Sequence, residues 1–153
     1  MNENTARELC QLLENGRPLL ERLDSVADLE RWRDLVVQDS ARRLGGRDLM
    51  PQQSSGPEHG PAALAKGYES WSDLLTARLQ RMRAHGLLRR EADPEALAIG
   101  IMAAFQGGQL LAQVARDVTP MRAALDMAIG HVRSWRADRA STSRTNEQSP
   151  EKR

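Results

Sequence analysis

The 153-residue sequence predicts an all-α fold of about five to six helices, and three observations carry that reading. Leu, Ala and Arg are abundant while aromatic residues make up only 3% of the chain, a composition that suits helices. Apolar residues recur at three- and four-residue spacing, and runs of β-branched residues are absent. Gly, Pro and Asp then cut the chain into helix-sized lengths. One domain is the default at this length, and the chain is long enough to bury a core of Leu, Ala, Met and Val. The expected organisation is a folded unit over 1–139 and a polar, disordered tail over 140–153.

The first predicted helix spans about Asn4 to Leu23, with Leu9, Leu12, Leu13, Gly16, Leu20 and Leu23 on one face. Pro18 predicts a kink or a break, because it lacks an N–H and clashes with the preceding turn. A second helix begins after Ser25, where Asp28 three residues on resembles a capping box, and it ends at Gly45 and Gly46. Its apolar face is Val26, Leu29, Trp32, Leu35, Val36, Ala41 and Leu44. The stretch from Arg47 to Pro61 reads as a loop.

A third helix starts near Pro61, presents Leu64, Tyr68, Trp71, Leu74, Leu75, Leu79 and Met82, and stops at Gly86 in a left-handed conformation. The fourth has the sharpest start, with Asp93 as N-cap, Pro94 in the first turn and Glu95 at the positive end of the dipole. It is apolar nearly all round to about Arg116, so burial on more than one side is expected. In the fifth, Thr119 caps, Pro120 follows, and Met121, Leu125, Ala128, Ile129, Val132 and Trp135 form the stripe.

Charge and chemistry exclude several classes. A net charge of +1 makes no electrostatic case for nucleic acid. The arginine groups (Arg42, Arg43 and Arg47; Arg89 and Arg90; Arg136 and Arg139) lie near helix ends, where they complement the dipole. Cys10 is the sole cysteine, which precludes an internal disulfide and fits a cytoplasmic location. No signal-peptide-like stretch is seen, and no run approaches the roughly 18 apolar residues of a membrane helix. His59, His85 and His131 share no metal-ligand spacing with Cys10 or with paired carboxylates. No nucleophile elbow, P-loop or dinucleotide fingerprint occurs, so neither catalysis, nor a metal, nor a cofactor is expected.

Two groupings stand out. Gly107 and Gly108 sit inside the fourth helix, where glycine costs roughly 1 kcal/mol relative to alanine, a cost tolerated when another backbone comes close. The close neighbour is either a helix of the same chain or a second subunit; in the latter case Gly107, Gly108, Leu111, Leu125, Ile129 and Val132 form a dimer interface in which the last two helices of each subunit build a four-helix bundle. Trp32, Leu35, Trp71, Leu75, Met82, Met102, Phe105 and Gln106 converge if the second, third and fourth helices pack together. They are either ordinary core or the adaptable walls of a ligand pocket.

From Tyr68 onward several short motifs follow in order: a helix carrying Trp71, the Gly86–Leu88 turn, Asp93–Glu95, Gln106–Gly108, Leu110–Ala112, and Arg116 with Asp117. Their order and spacing resemble the C-terminal effector-binding and dimerisation half of a tetracycline-repressor (TetR) family transcription regulator of the multidrug-type branch. The resemblance extends over about Thr5 to Arg139. It departs where that branch carries a Cys-Pro-containing segment, since this chain reads GGRDLMPQQSSGPEHGP over 45–61. The resemblance implies an orthogonal-type helical bundle, a homodimer, and a small apolar or cationic effector bound among the helices. It implies a transcriptional repressor whose DNA contact is made through an N-terminal helix-turn-helix, a module expected to be absent from this sequence. The first helix would be the element that links the two parts. The rival expectation is a helical dimerisation or interaction module without a ligand, forming mixed dimers with an intact regulator.

Overall fold

The computed structural model describes residues 3–46 and 61–137. Five helices account for most of them: α1 (Glu3–Glu21), α2 (Val26–Gly45), α3 (Pro61–Ala84), α4 (Pro94–Ala115) and α5 (Thr119–Ser134). The predicted loop after α2 and the predicted polar tail lie outside the described residues. Among those that are described, the one β-type pairing is an isolated antiparallel bridge between Leu88 and Arg136. The fold is therefore all-α.

Each boundary has a local cause. Ser25 accepts a hydrogen bond from the Asp28 N–H at 3.3 Å, and the Asp28 carboxylate accepts from the Asp24 N–H at 2.9 Å, a reciprocal cap on α2. Gly86 ends α3 at φ +77, and the Leu87 N–H donates back to the Met82 carbonyl at 2.9 Å in a Schellman-type closure. Asp93 caps α4 by accepting from the Ala96 N–H at 3.2 Å.

Two expectations about boundaries are corrected. Of the kink or break expected at Pro18, the break does not occur: α1 is continuous through it. Pro18 withholds a bond from the Glu14 carbonyl, yet both residues are exposed, where solvent can reach the freed acceptor, while Leu12, Leu13 and Leu20 hold both halves in the core. Thr119 does not cap α5. Asp117 does that work: its carboxylate accepts from the Thr119 N–H at 3.1 Å and from the Thr119 hydroxyl at 2.8 Å. Arg116 makes the preceding turn at φ 54, a left-handed conformation that non-glycine residues seldom adopt.

The most extensive packing is α4 on α5, followed by α3 on α4, with α1 against α2 and α3 and α2 against α5. Arg33 reaches from α2 to Asp126 at 2.9 Å, and Arg133 pairs with Glu30, so ion pairs border the α2–α5 contact. The end of α5 is stitched to the α3–α4 turn. The Arg89 N–H donates to the Trp135 carbonyl at 2.8 Å and the Ala137 N–H to the Leu87 carbonyl at 3.1 Å, while the Arg89 guanidinium lies 4.6 Å from the Trp135 ring centroid.

By length and composition α4 is apolar enough to cross a bilayer, contrary to the reading of the sequence that no run comes near. Its inner stripe, including Ala98, Ile101, Met102 and Phe105, is fully buried in the protein core. Its outer side is left uncovered by the described residues, so α4 is not buried all round.

Candidate functional site

The helices α1, α2, α3 and α4 converge on one core, and six of the eight residues expected to form a pocket meet in it. Trp32, Leu75, Met82, Met102 and Phe105 are at most 1% exposed and Trp71 is 3% exposed. The Trp32 and Phe105 rings lie 5.8 Å apart at 38°. Leu35 and Gln106 are only half-buried.

Polar groups that the sequence reading did not single out sit in the same interior. The Ser40 hydroxyl donates to Gln109 Oε1 at 2.6 Å, linking α2 to α4, and both residues are essentially inaccessible. Gln113, one turn further along α4, donates to the Glu8 carboxylate on α1, and Glu8 is 7% exposed. The Trp32 indole N–H is buried without a hydrogen-bond partner, against Gly16 of α1. A phase argument could have found Gln109. It falls on the inward stripe with Ala98, Ile101, Phe105 and Ala112, whereas Gln106 falls between faces.

Burial pushes the half-buried Cys10 thiol up from its ordinary range, with the Glu14 charge adding to the effect, which disfavours the nucleophilic thiolate. Among the described residues no three His, Cys, Asp or Glu side chains come together as metal ligands.

The expected interface residues divide between two surfaces. Leu125, Ile129 and Val132 are fully buried in the core of the single chain, so in this packing a partner cannot reach them. Gly108 also faces inward: a β-carbon there would lie 2.8 Å from the Met121 α-carbon, which makes it the point where α4 and α5 touch within one chain. Gly107 and Leu111 face outward. A β-carbon at Gly107, or at Gly100, would meet nothing within 4 Å, so no contact among the described residues accounts for either glycine.

The outer face of α4 is apolar from end to end. Ile99 (47% exposed), Leu110 (51%), Leu111 (56%) and Val114 (77%) stand on it, and Met127 of α5 (79%) flanks it. Between the outer edges of α4 and α5 runs an apolar groove of about 370 Å³, floored by Ala96, Gly100, Ala104, Ala124 and Ala128 and edged by Met127 and His131. The five large side chains expose on the order of 600 Å², at the upper end of what a monomer's largest apolar patch carries.

Comparisons with known proteins bear on the half of the chain that carries this face. Searches of curated proteins and of solved structures gave no match. Residues 52–127 match the model of the C-terminal domain of LmrA/YxaF-like transcriptional regulators, a segment that includes α3, α4 and α5 as far as Met127. The all-helical fold and this match together support a TetR-family C-terminal domain.

Proposed function

We propose that the chain is the effector-binding and dimerisation domain of a TetR-like transcriptional regulator, acting as a homodimer without catalysis. Operator binding would rest with a separate helix-turn-helix module. The observation that carries the proposal is the uncovered apolar face of α4 and α5, inside the segment that matches the regulator family. The small residues between the large ones bring that face close to the roughly 800 Å² per partner of a stable interface. Sedimentation equilibrium tests this part. The wild-type chain is expected to be a dimer and Leu111→Glu a folded monomer; a wild-type monomer at micromolar concentration overturns it.

The effector would be a small apolar or cationic molecule bound among α1, α2, α3 and α4. Aromatic and Met walls with a few convergent polar groups support this reading. Thermal shift with tetraphenylphosphonium, an apolar cation, and with naphthalene, a neutral comparator, tests it. Either probe at 100 times its dissociation constant would add roughly 2.7 kcal/mol of stability.

A second reading, a dimerisation module without a ligand, is favoured by one observation. Trp32, Trp71, Leu75, Met82, Met102 and Phe105 are all buried together in one hydrophobic core, as ordinary packing residues are. Absence of any shift with either probe, in a chain that still dimerises, would select it. Mixed dimers with an intact regulator would then be its mode of action, by dilution of the intact pair.

A further inference from the structure

We propose that the α4 helices of two copies pack antiparallel about a two-fold axis level with Phe105, each copy seating its Leu110 and Val114 in the small-residue groove of the other. This inference rests on the homodimer reading above and specifies its register.

The argument starts from the outward positions of α4. The exposed residues between Glu95 and Ala115 pair off symmetrically about position 105: Ala96 with Val114, Ile99 with Leu111, Gly100 with Leu110, Ala103 with Gly107. An amphipathic helix face is always symmetric in spacing, so the information lies in the sizes. Nearest the axis the pair is Ala and Gly, which lets two backbones approach. One turn out, the absence of a side chain at Gly100 stands opposite Leu110. At the ends Ala96 stands opposite Val114. A small residue therefore meets a large one wherever bulk occurs, save for Ile99 and Leu111, which meet as two apolar side chains.

The groove agrees with this pairing independently. Ala96 and Gly100 are part of its floor, and these are the residues that the pairing sets against Val114 and Leu110. The arrangement is self-complementary, as a two-fold interface requires: what one copy projects, the other receives. Gly100 and Gly107, unexplained by any contact among the described residues, acquire a reason.

Other registers fit less of the face. An axis level with Ala103 would set Leu111 against the Glu95 carboxylate and carry Val114 past the start of the partner helix. An axis level with Gly107 would pair Leu111 with Ala103 and carry Ala96 past the helix end. Only the central register covers every exposed apolar position of α4.

Directed cross-linking of the full chain in a Cys10→Ser background tests the register, with sedimentation equilibrium on the same samples. Three single-cysteine variants are used, Ile99→Cys, Ala103→Cys and Leu111→Cys, oxidised alone and as differently tagged mixtures. Two copies of residue 99 would lie roughly 18 Å apart along the helix axis, beyond the reach of a disulfide. The expected result is a bridge in the mixture of Ile99→Cys with Leu111→Cys and none in either alone. Preferential bridging of Leu111→Cys to Ala103→Cys would overturn the proposal in favour of the axis at Gly107. Self-bridging of Ile99→Cys would overturn it in favour of parallel helices. A sedimenting dimer with no bridge in any combination would place the contact on another face, overturning the register but not dimerisation. A monomer in the Cys10→Ser parent would overturn both.

Discussion

Gly108 and Met121 meet backbone to backbone: a β-carbon on the glycine would stand 2.8 Å from the methionine α-carbon, and 3.4 Å from the Ala124 β-carbon. Here α4 and α5 approach closely, and no flexible side chain lies in between to give way. Gly108→Ala is therefore expected to force the two helices apart, at a cost of about 1–3 kcal/mol. Gly130→Ala, in a position where a β-carbon meets nothing within 4 Å, should be neutral or stabilising by up to about 1 kcal/mol. Urea denaturation midpoints of the two variants check the contrast.

Gly16 is the counterpart on α1. A β-carbon there would stand 2.6 Å from Trp32 Nε1 and 2.9 Å from its Cδ1, and the ring also packs against Phe105. Gly16→Ala should cost about 1–3 kcal/mol by displacing the indole. In a Trp32→Phe background the same change should cost distinctly less, since the smaller ring leaves room. A double-mutant cycle from urea curves measures the coupling, and additivity would refute it.

The Ser40–Gln109 hydrogen bond is the polar contact most fully removed from water. Ser40→Ala leaves the Gln109 amide oxygen buried and unpaired, which should cost about 1–3 kcal/mol. Adding Gln109→Leu should recover part of that loss, because an apolar pair has no unmet demand. Stability equal to that of Ser40→Ala alone, or lower, would show that the amide has another partner.

Asp117 supplies a pH dependence. Hydrogen bonds from the Thr119 hydroxyl and then from the Thr119 N–H hold its carboxyl below its ordinary value of 3.8. The unfolded chain thus takes up this proton more readily than the folded one. The stability that Asp117 contributes is full above about pH 4 and is lost as pH falls through the lower, folded value. Asp117→Asn should therefore flatten the acid limb of the stability profile between about pH 4 and pH 2, while leaving a small constant loss at neutral pH. Chemical denaturation at several pH values tests the slope.

Helix existence and most helix ends were legible because their causes are local. Ser25, Gly86 and Asp93 act on groups within a few residues, so the sequence contains the whole interaction. Pro18 does not break α1, because its penalty depends on whether the freed Glu14 carbonyl can reach water, which is a property of the fold. Thr119 misled because the cap came from two residues upstream, through a turn that Arg116 makes without glycine.

The inward or outward sense of each residue was harder to read. Gly107 and Gly108 are adjacent in sequence and opposite in the structure, one exposed and one against Met121. Leu125, Ile129 and Val132 have the spacing of an apolar stripe, and spacing alone cannot say whether the same chain or a second one covers it. Glu8, Ser40 and Gln109 escaped notice because a polar residue signals a buried network only once its partner, up to 105 residues away for Glu8 and Gln113, is known.

The short bridge between Leu88 and Arg136 makes the α4–α5 hairpin a closed circuit, fastened at the end opposite to the α4–α5 turn. A pulling force applied at the C-terminus and resisted at the N-terminus meets that fastening before it meets the core. Its two backbone hydrogen bonds and the Arg89–Trp135 contact must part first, and only then can α5 peel from α4. The mechanical weak point and the hydrophobic seam are thus separate, and the chain can yield at its edge without giving up the helix pair that carries the apolar face.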